Sequence, residues 1–171
     1  MVPVVVWAIT AGTDAAMQFA FLLFLAAGIS DAVDGFLAKR FGMASELGAY
    51  LDPLADKVLI VSIYVSLGFV GALPLWLVIL VVSRDIMIVG AIILSWLIDR
   101  PVVVKPLLIS KINTAAQLLL AGLVLAALAF NWNLQPALVF LMVLVAVLTL
   151  LSVAFYVAEW IRHMNSTEAG R

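Results

Sequence analysis

The sequence predicts an all-α integral membrane protein, six helices in one bundle with a shortened first helix. Three observations carry that expectation. Of the 171 residues, 67% are hydrophobic and 11% charged, with a mean hydropathy of +1.27, which excludes an ordinary water-soluble domain. Apolar runs near or above the ~20 residues that cross a bilayer recur along most of the chain. Basic residues alternate between connectors: Lys39 and Arg40, then Arg100 and Lys105, then Arg162 and Arg171, fall on one side. The turns between them, GTDAA, FVGAL and NWNLQP, carry no lysine or arginine. By the positive-inside rule, the 40–45 connector and the C-terminus lie in the cytoplasm.

Taken in order, residues 2 to about 12 are apolar but reach only ~16 Å as a helix. They read as the second half of a first membrane helix whose beginning is missing or shortened. No cleavable signal is visible, for want of a basic n-region and a clear cleavage site. After a short outer turn with Asp14, helix two is expected from about 17 to 40 and helix three from about 45 to 69. Gly42 breaks the chain between them and Ser45 restarts it. Pro53 falls in the first turns of helix three, where a proline does least damage. Helix four is expected from about 74 to 98, opening with Pro74, helix five from about 106 to 130 and helix six from about 136 to 162. A single transmembrane domain thus spans 1–163, with a polar tail at 164–171. Trp76, Trp96, Trp132 and Trp160 fall near helix ends, as an interfacial aromatic belt requires.

Several function classes drop out. A net charge of −1 gives no bulk attraction to nucleic acid, and the absence of cysteine removes disulfides and thiolate chemistry. The lone histidine, His163, follows helix six and reads as an interfacial residue.

What remains is concentrated in residues 31–56. Asp31 and Asp34 stand three apart, Asp52 and Asp56 four apart, so each pair presents two carboxylates on one helix face. Two helices joined by a tight turn run antiparallel, which lets the four converge. Four carboxylates closing in an apolar setting repel by several kcal/mol unless a cation sits among them. Their oxygens suit Mg²⁺ or Mn²⁺, one ion or a pair. Neutralisation by helix-end lysines is the alternative, but ionisable groups within membrane helices are costly and usually functional. Gly35 and Ala38 are small enough to admit a ligand to the backbone, or to let two helices pack closely.

The spacing D31-x2-D34-G35-x2-A38-K39-x8-G48-x3-D52-x3-D56 resembles the signature of the CDP-alcohol phosphatidyltransferases, with Lys39 where that family usually has arginine. Lysine keeps the charge and loses the bidentate fork. The resemblance implies six membrane helices, a homodimer, and displacement of CMP from a CDP-linked lipid with the help of divalent metal, two ions in all. It implies that Asp31, Asp34 and Asp52 hold metal and that Asp56 completes the site and acts as general base. Gly35, Ala38, Lys39 and Gly48 would line the CDP pocket.

For the acceptor, Arg84 lies mid-helix in VVSRDIM, and Lys111 opens ISKINTAAQ. Ser110, Asn113, Thr114 and Gln117 share one helix face, a stripe that serves a substrate or simply bonds to neighbouring helices. Arg84 likewise binds a headgroup or pairs with Asp85. SRDIMIVGA, ISKINTAAQLLLAG and LDPLADKVLIVSIYVSLGF are similar to the CMP-forming cardiolipin synthases of mitochondria and some bacteria. The related phosphatidylglycerophosphate synthases carry a second lysine where this chain has Asn113, and another arginine where it has uncharged GAIILSW. Glycerol 3-phosphate bears nearly two negative charges and calls for several cations. Phosphatidylglycerol bears one, and Arg84, Lys111 and Asn113 suit it better.

The expected activity is therefore transfer of a phosphatidyl group from CDP-diacylglycerol to phosphatidylglycerol, in a bacterial or mitochondrial inner membrane with the site on the cytoplasmic or matrix side. Glycerol 3-phosphate is the alternative acceptor. An ion or proton carrier is the rival from another class, and a non-catalytic assembly protein a third.

Overall fold

The computed structural model describes the backbone of residues 2–41, 46–97 and 108–168, and side chains at 2–31, 33, 57–90 and 108–158. Among these residues the elements are six helices and no strand: α1 (Val2–Ala11), α2 (Asp14–Phe41), α3 (Glu46–Phe69), α4 (Leu75–Leu97), α5 (Leu108–Phe130) and α6 (Gln135–Glu168).

Helix ends follow local chemistry. Gly12, at φ +70°, closes α1 in the left-handed conformation. The Thr13 hydroxyl then accepts from the Ala16 N–H at 3.3 Å, capping α2, and Asp14 stands at its positive end. That cap starts α2 at Asp14 rather than the expected 17, and the outer turn shrinks to two residues. At the end of α3, Gly71 (φ +77°) donates to the Gly68 carbonyl at 3.1 Å, and Ala72 donates to that of Leu67 at 2.8 Å. This is a Schellman closure. Asn131 (φ 53°) serves the same purpose after α5, with Trp132 donating to the Ala127 carbonyl at 3.0 Å. No glycine or proline lies between Pro136 and Gly170. The helical backbone of α6 accordingly continues through residues 164–168, which the sequence assigns to a polar tail.

α5 is the central element, packed along α6 and α2 and touching α3. Short α1 fills the angle between α2 and α3, and α4 packs on α3 and α6. One core joins them, with Ile9, Ala20, Ile63, Leu67, Leu77, Leu120, Leu125 and Val145 all buried. Small residues let helices approach: a Cβ on Gly68 would stand 2.9 Å from Val78 Cγ2, and one on Gly122 would stand 3.0 Å from Phe24 Cε1.

Burial of polarity is inverted relative to a water-soluble protein. Leu22, Ile79, Ile86 and Phe140 face outward, whereas Ser66, Arg84, Asp85, Asn113, Gln117, Thr149 and Ser152 are buried. Asp14–Asp31, Leu108–Phe130 and Gln135–Ala158 are, among the described residues, long and apolar enough to cross a membrane. In lipid an outward apolar surface costs nothing, so packing and interhelical polar bonds hold such a bundle together.

Candidate active site

The four aspartates of the signature lie on two helices joined in sequence, Asp31 and Asp34 on α2, Asp52 and Asp56 on α3. At ~1.5 Å rise per residue, Asp34 and Asp52 stand roughly 10 and 9 Å from the facing ends of their helices. Asp31 and Asp56 both stand roughly 15 Å from those ends. Each helix thus carries one aspartate nearer to and one farther from that end, at similar distances along the two helices. The Asp31 side chain is exposed. The side chains of Asp34, Gly35, Ala38, Lys39, Gly48, Asp52 and Asp56 lie outside the described residues, and no group of three metal-binding side chains occurs among the described ones. As a donor set, four carboxylates offer only hard oxygen ligands, which fits Mg²⁺ or Mn²⁺.

Immediately beyond Asp56 the described side chains build a charged clasp. Asp85 of α4 is 2% exposed, and its Oδ1 accepts from Lys57 Nζ at 2.7 Å and from Arg84 Nη1 at 2.6 Å. Its Oδ2 has no partner among the described residues. Arg84 is 1% exposed. Its Nε and Nη2 donate to Ser152 Oγ of α6 at 3.2 and 3.0 Å, and Nη2 also donates to Ser110 Oγ of α5. One guanidinium thus ties three helices, and Asp85 adds α3 as the fourth. Removing one member of such a buried pair costs about 3–5 kcal/mol, because a desolvated charge is left behind.

The remaining residues of the α5 stripe divide. Asn113 is fully buried, its Oδ1 accepting from Thr149 Oγ1 of α6 at 3.2 Å. Gln117 is fully buried too, and its backbone carbonyl accepts from Tyr64 Oη of α3 at 3.0 Å. The Gln117 amide and Asn113 Nδ2 have no partner among the described residues. Thr114 bonds within its own helix, to the Ser110 carbonyl at 3.1 Å. Lys111 is exposed. Arg84, Lys111 and Asn113 therefore do not line one open surface. Arg84 and Asn113 point into the bundle, Lys111 points out, and Ser110 is the point where the clasp meets the helix face beside Lys111.

Sequence reasoning weighed Arg84 against Asp85 as partners, and that pair is present. Lys57, Tyr64, Thr149 and Ser152 went unremarked. Thr149 and Ser152 had a signal of their own: two hydroxyls three residues apart in an otherwise apolar run, hence on one face of α6. A cleft of about 240 Å³ lined by Gly71, Ala72, Trp132 and Gln135 lies at the opposite end of α3 from Asp52 and Asp56, too distant to share their chemistry.

The family model described as CDP-alcohol phosphatidyltransferase matches residues 1–158. A human protein named cardiolipin synthase (CMP-forming) is 38% identical over 126 residues, covering 64% of this chain and 42% of its own length. A probable phosphatidylglycerophosphate synthase of Mycobacterium tuberculosis is 35% identical over 168 residues, covering 96% of this chain and 78% of its own. A Bacillus subtilis protein named CDP-diacylglycerol--glycerol-3-phosphate 3-phosphatidyltransferase is 34% identical over 111 residues, covering 64% of this chain and 56% of its own. The chain spans less than half the length of the human relative.

Proposed function

Because the chain belongs to the CDP-alcohol phosphatidyltransferase family, we propose that it transfers a phosphatidyl group from CDP-diacylglycerol to phosphatidylglycerol, forming cardiolipin and CMP. Asp31, Asp34, Asp52 and Asp56 hold the divalent metal, Mg²⁺ or Mn²⁺ and in all two ions, which when bound neutralises charge on the diphosphate. Gly35, Ala38, Lys39 and Gly48 receive the cytidine diphosphate. Asp56 takes the proton of the acceptor hydroxyl. The freed oxygen forms a bond to the lipid-bearing phosphorus, and the bond from that phosphorus to CMP breaks, its electron pair leaving with CMP. Such transfers ask a protein mainly for positioning and charge, which two carboxylate-bearing helices supply.

The observation that carries the choice of acceptor is the engagement of Arg84. With its guanidinium held by Asp85, Ser110 and Ser152, it acts on a headgroup at one remove, through Ser110. Lys111 is then the exposed cation of that face among the described residues. One exposed cation suits a diester with a single charge better than a phosphomonoester with nearly two. Asn113, fully buried against Thr149, acts like Arg84 at one remove from the acceptor. Opposing this, the relative that this chain covers most fully among those above is named for phosphatidylglycerophosphate synthesis, so glycerol 3-phosphate is the second reading.

The catalytic connector faces the cytoplasm or matrix of an inner membrane, and the protein works there as a homodimer. CMP release from CDP-diacylglycerol, measured with each acceptor in turn and with EDTA as control, tests the proposal. Release with phosphatidylglycerol that stops on chelation is expected. Release with glycerol 3-phosphate alone overturns the choice of acceptor. Ion flux across CDP-lipid-free liposomes without CMP release overturns the enzyme.

A further inference from the structure

We propose that Asp85 is a positioning residue for this reaction: by holding Lys57 and Arg84 on one carboxylate oxygen, it fixes the metal-bearing turn of α3 against the Arg84 clasp on α4, α5 and α6. The inference rests on the function proposed above and deepens it. Lys57 directly follows Asp56 and comes five residues after Asp52. On a helix, a side chain tethered there sets the rotation of the turn that carries both aspartates. The tether is short, 2.7 Å, and ends on a carboxylate whose side chain is 3% exposed, where water screens it little.

A second contact makes this more than an isolated ion pair. Gly68 of α3 abuts Val78 of α4 near the far end of the same helix pair. The two contacts are separated along α3 by eleven residues, about 16 Å. Tyr64, bonded to the Gln117 carbonyl of α5, and the packing of α1 also hold α3, and among the described contacts the Lys57 tether is the one nearest Asp52 and Asp56. Asp85 is in turn immobilised, because the neighbouring guanidinium that it binds is itself held by Ser110 and Ser152. The chain of connection therefore runs from α5 and α6, through Arg84 and Asp85, to Lys57 and the aspartates. Asp85 needs no contact with substrate for this. Carboxylates that bind Mg²⁺ tolerate little displacement, since that ion demands near-ideal octahedral geometry.

The test uses the full chain in lipid-detergent micelles and Mn²⁺ as the probe, titrated by electron paramagnetic resonance without CDP-lipid, beside CMP release with CDP-diacylglycerol and phosphatidylglycerol. Asp85→Asn and Lys57→Gln are each expected to weaken Mn²⁺ binding by about tenfold, the usual effect of losing a group that orients metal ligands. The Mn²⁺ concentration for half-maximal CMP release should rise in step. Lys57→Arg, which keeps a donor for Asp85, should recover most of the affinity. The double variant should lose less than the sum of the two single losses, because the Lys57–Asp85 linkage is broken in each. Should Asp85→Asn fail to fold, the Lys57 variants decide, since they leave the buried Arg84–Asp85 pair intact. Mn²⁺ affinity for Lys57→Gln within about twofold of the parent, or additive effects in the double variant, overturns the proposal. A parent protein that binds Mn²⁺ but releases no CMP overturns the proposed function and leaves the Asp85 linkage standing on its titrations.

Discussion

Ser152 of α6 accepts both Nε and Nη2 of Arg84, at 3.2 and 3.0 Å, across sixty-eight residues of sequence. One hydroxyl thus answers two donors of a single buried cation. Ser152→Ala leaves Nε without an acceptor and Nη2 with Ser110 alone, and is expected to cost about 1–3 kcal/mol. Thermal unfolding in detergent should fall by several degrees, with Ser152→Thr close to the parent. An unchanged transition for the alanine variant would remove Ser152 from the clasp.

Gly68→Ala sets two effects of opposite sign against each other. Alanine favours the helix by about 0.8–1.0 kcal/mol. Its Cβ would stand 2.9 Å from Val78 Cγ2, on a β-branched side chain with little rotamer freedom. Overpacking of this kind costs about 1–3 kcal/mol and should win. The variant is expected to be less stable than the parent, and Val78→Ala in the same chain should reverse part of the loss.

Gln117→Leu should behave in the opposite way. Neither amide atom of Gln117 has a partner among the described residues, so removing them leaves no described group unsatisfied. Stability equal to or above the parent is expected in the same thermal assay, while Tyr64→Phe, which removes the donor to the Gln117 carbonyl, should cost about 0.5–1.5 kcal/mol. A marked loss with leucine would show that the amide holds an ordered water or substrate.

Asp56→Asn keeps shape and removes the proposed base. CMP release should fall by at least about a hundredfold, the scale of general-base catalysis, with helical content and thermal transition retained. Residual activity near the parent level would assign the proton to another group.

Lys111→Ala addresses acceptor recognition. As an exposed side chain on α5, it should affect binding and not the chemical step, raising KM for phosphatidylglycerol several-fold with kcat and the KM for CDP-diacylglycerol unchanged. A fall in kcat alone would point to a different role.

The fold was legible in the sequence to the extent that it depends on length and breakers. The short first helix, the turns after Phe69 and Phe130 and the helical segments between them follow from apolar runs and from Gly71 and Asn131. The start of α2 was misplaced because its cap is a single hydroxyl on Thr13, a signal no hydropathy pattern carries. The carboxylate pairs were visible as residues with shared faces, since spacing along one helix is local information. The clasp was only half visible. Arg84 and Asp85 are neighbours in sequence, but Lys57 and Ser152 reach them from 28 and 68 residues away. Whether such groups meet depends on how each helix is rotated in the bundle, and that is decided by packing around α5.

The turns that close α3 onto α4 and α5 onto α6 are each only a few residues long and locked by left-handed Gly71 and Asn131. At that end the bundle offers no slack backbone to anything arriving from the aqueous phase. A protease added to that side would find no extended stretch to thread through its cleft. Epitope tags placed there would have to unwind a helix end before an antibody reached them, so labels for following this protein in a membrane belong at the other end.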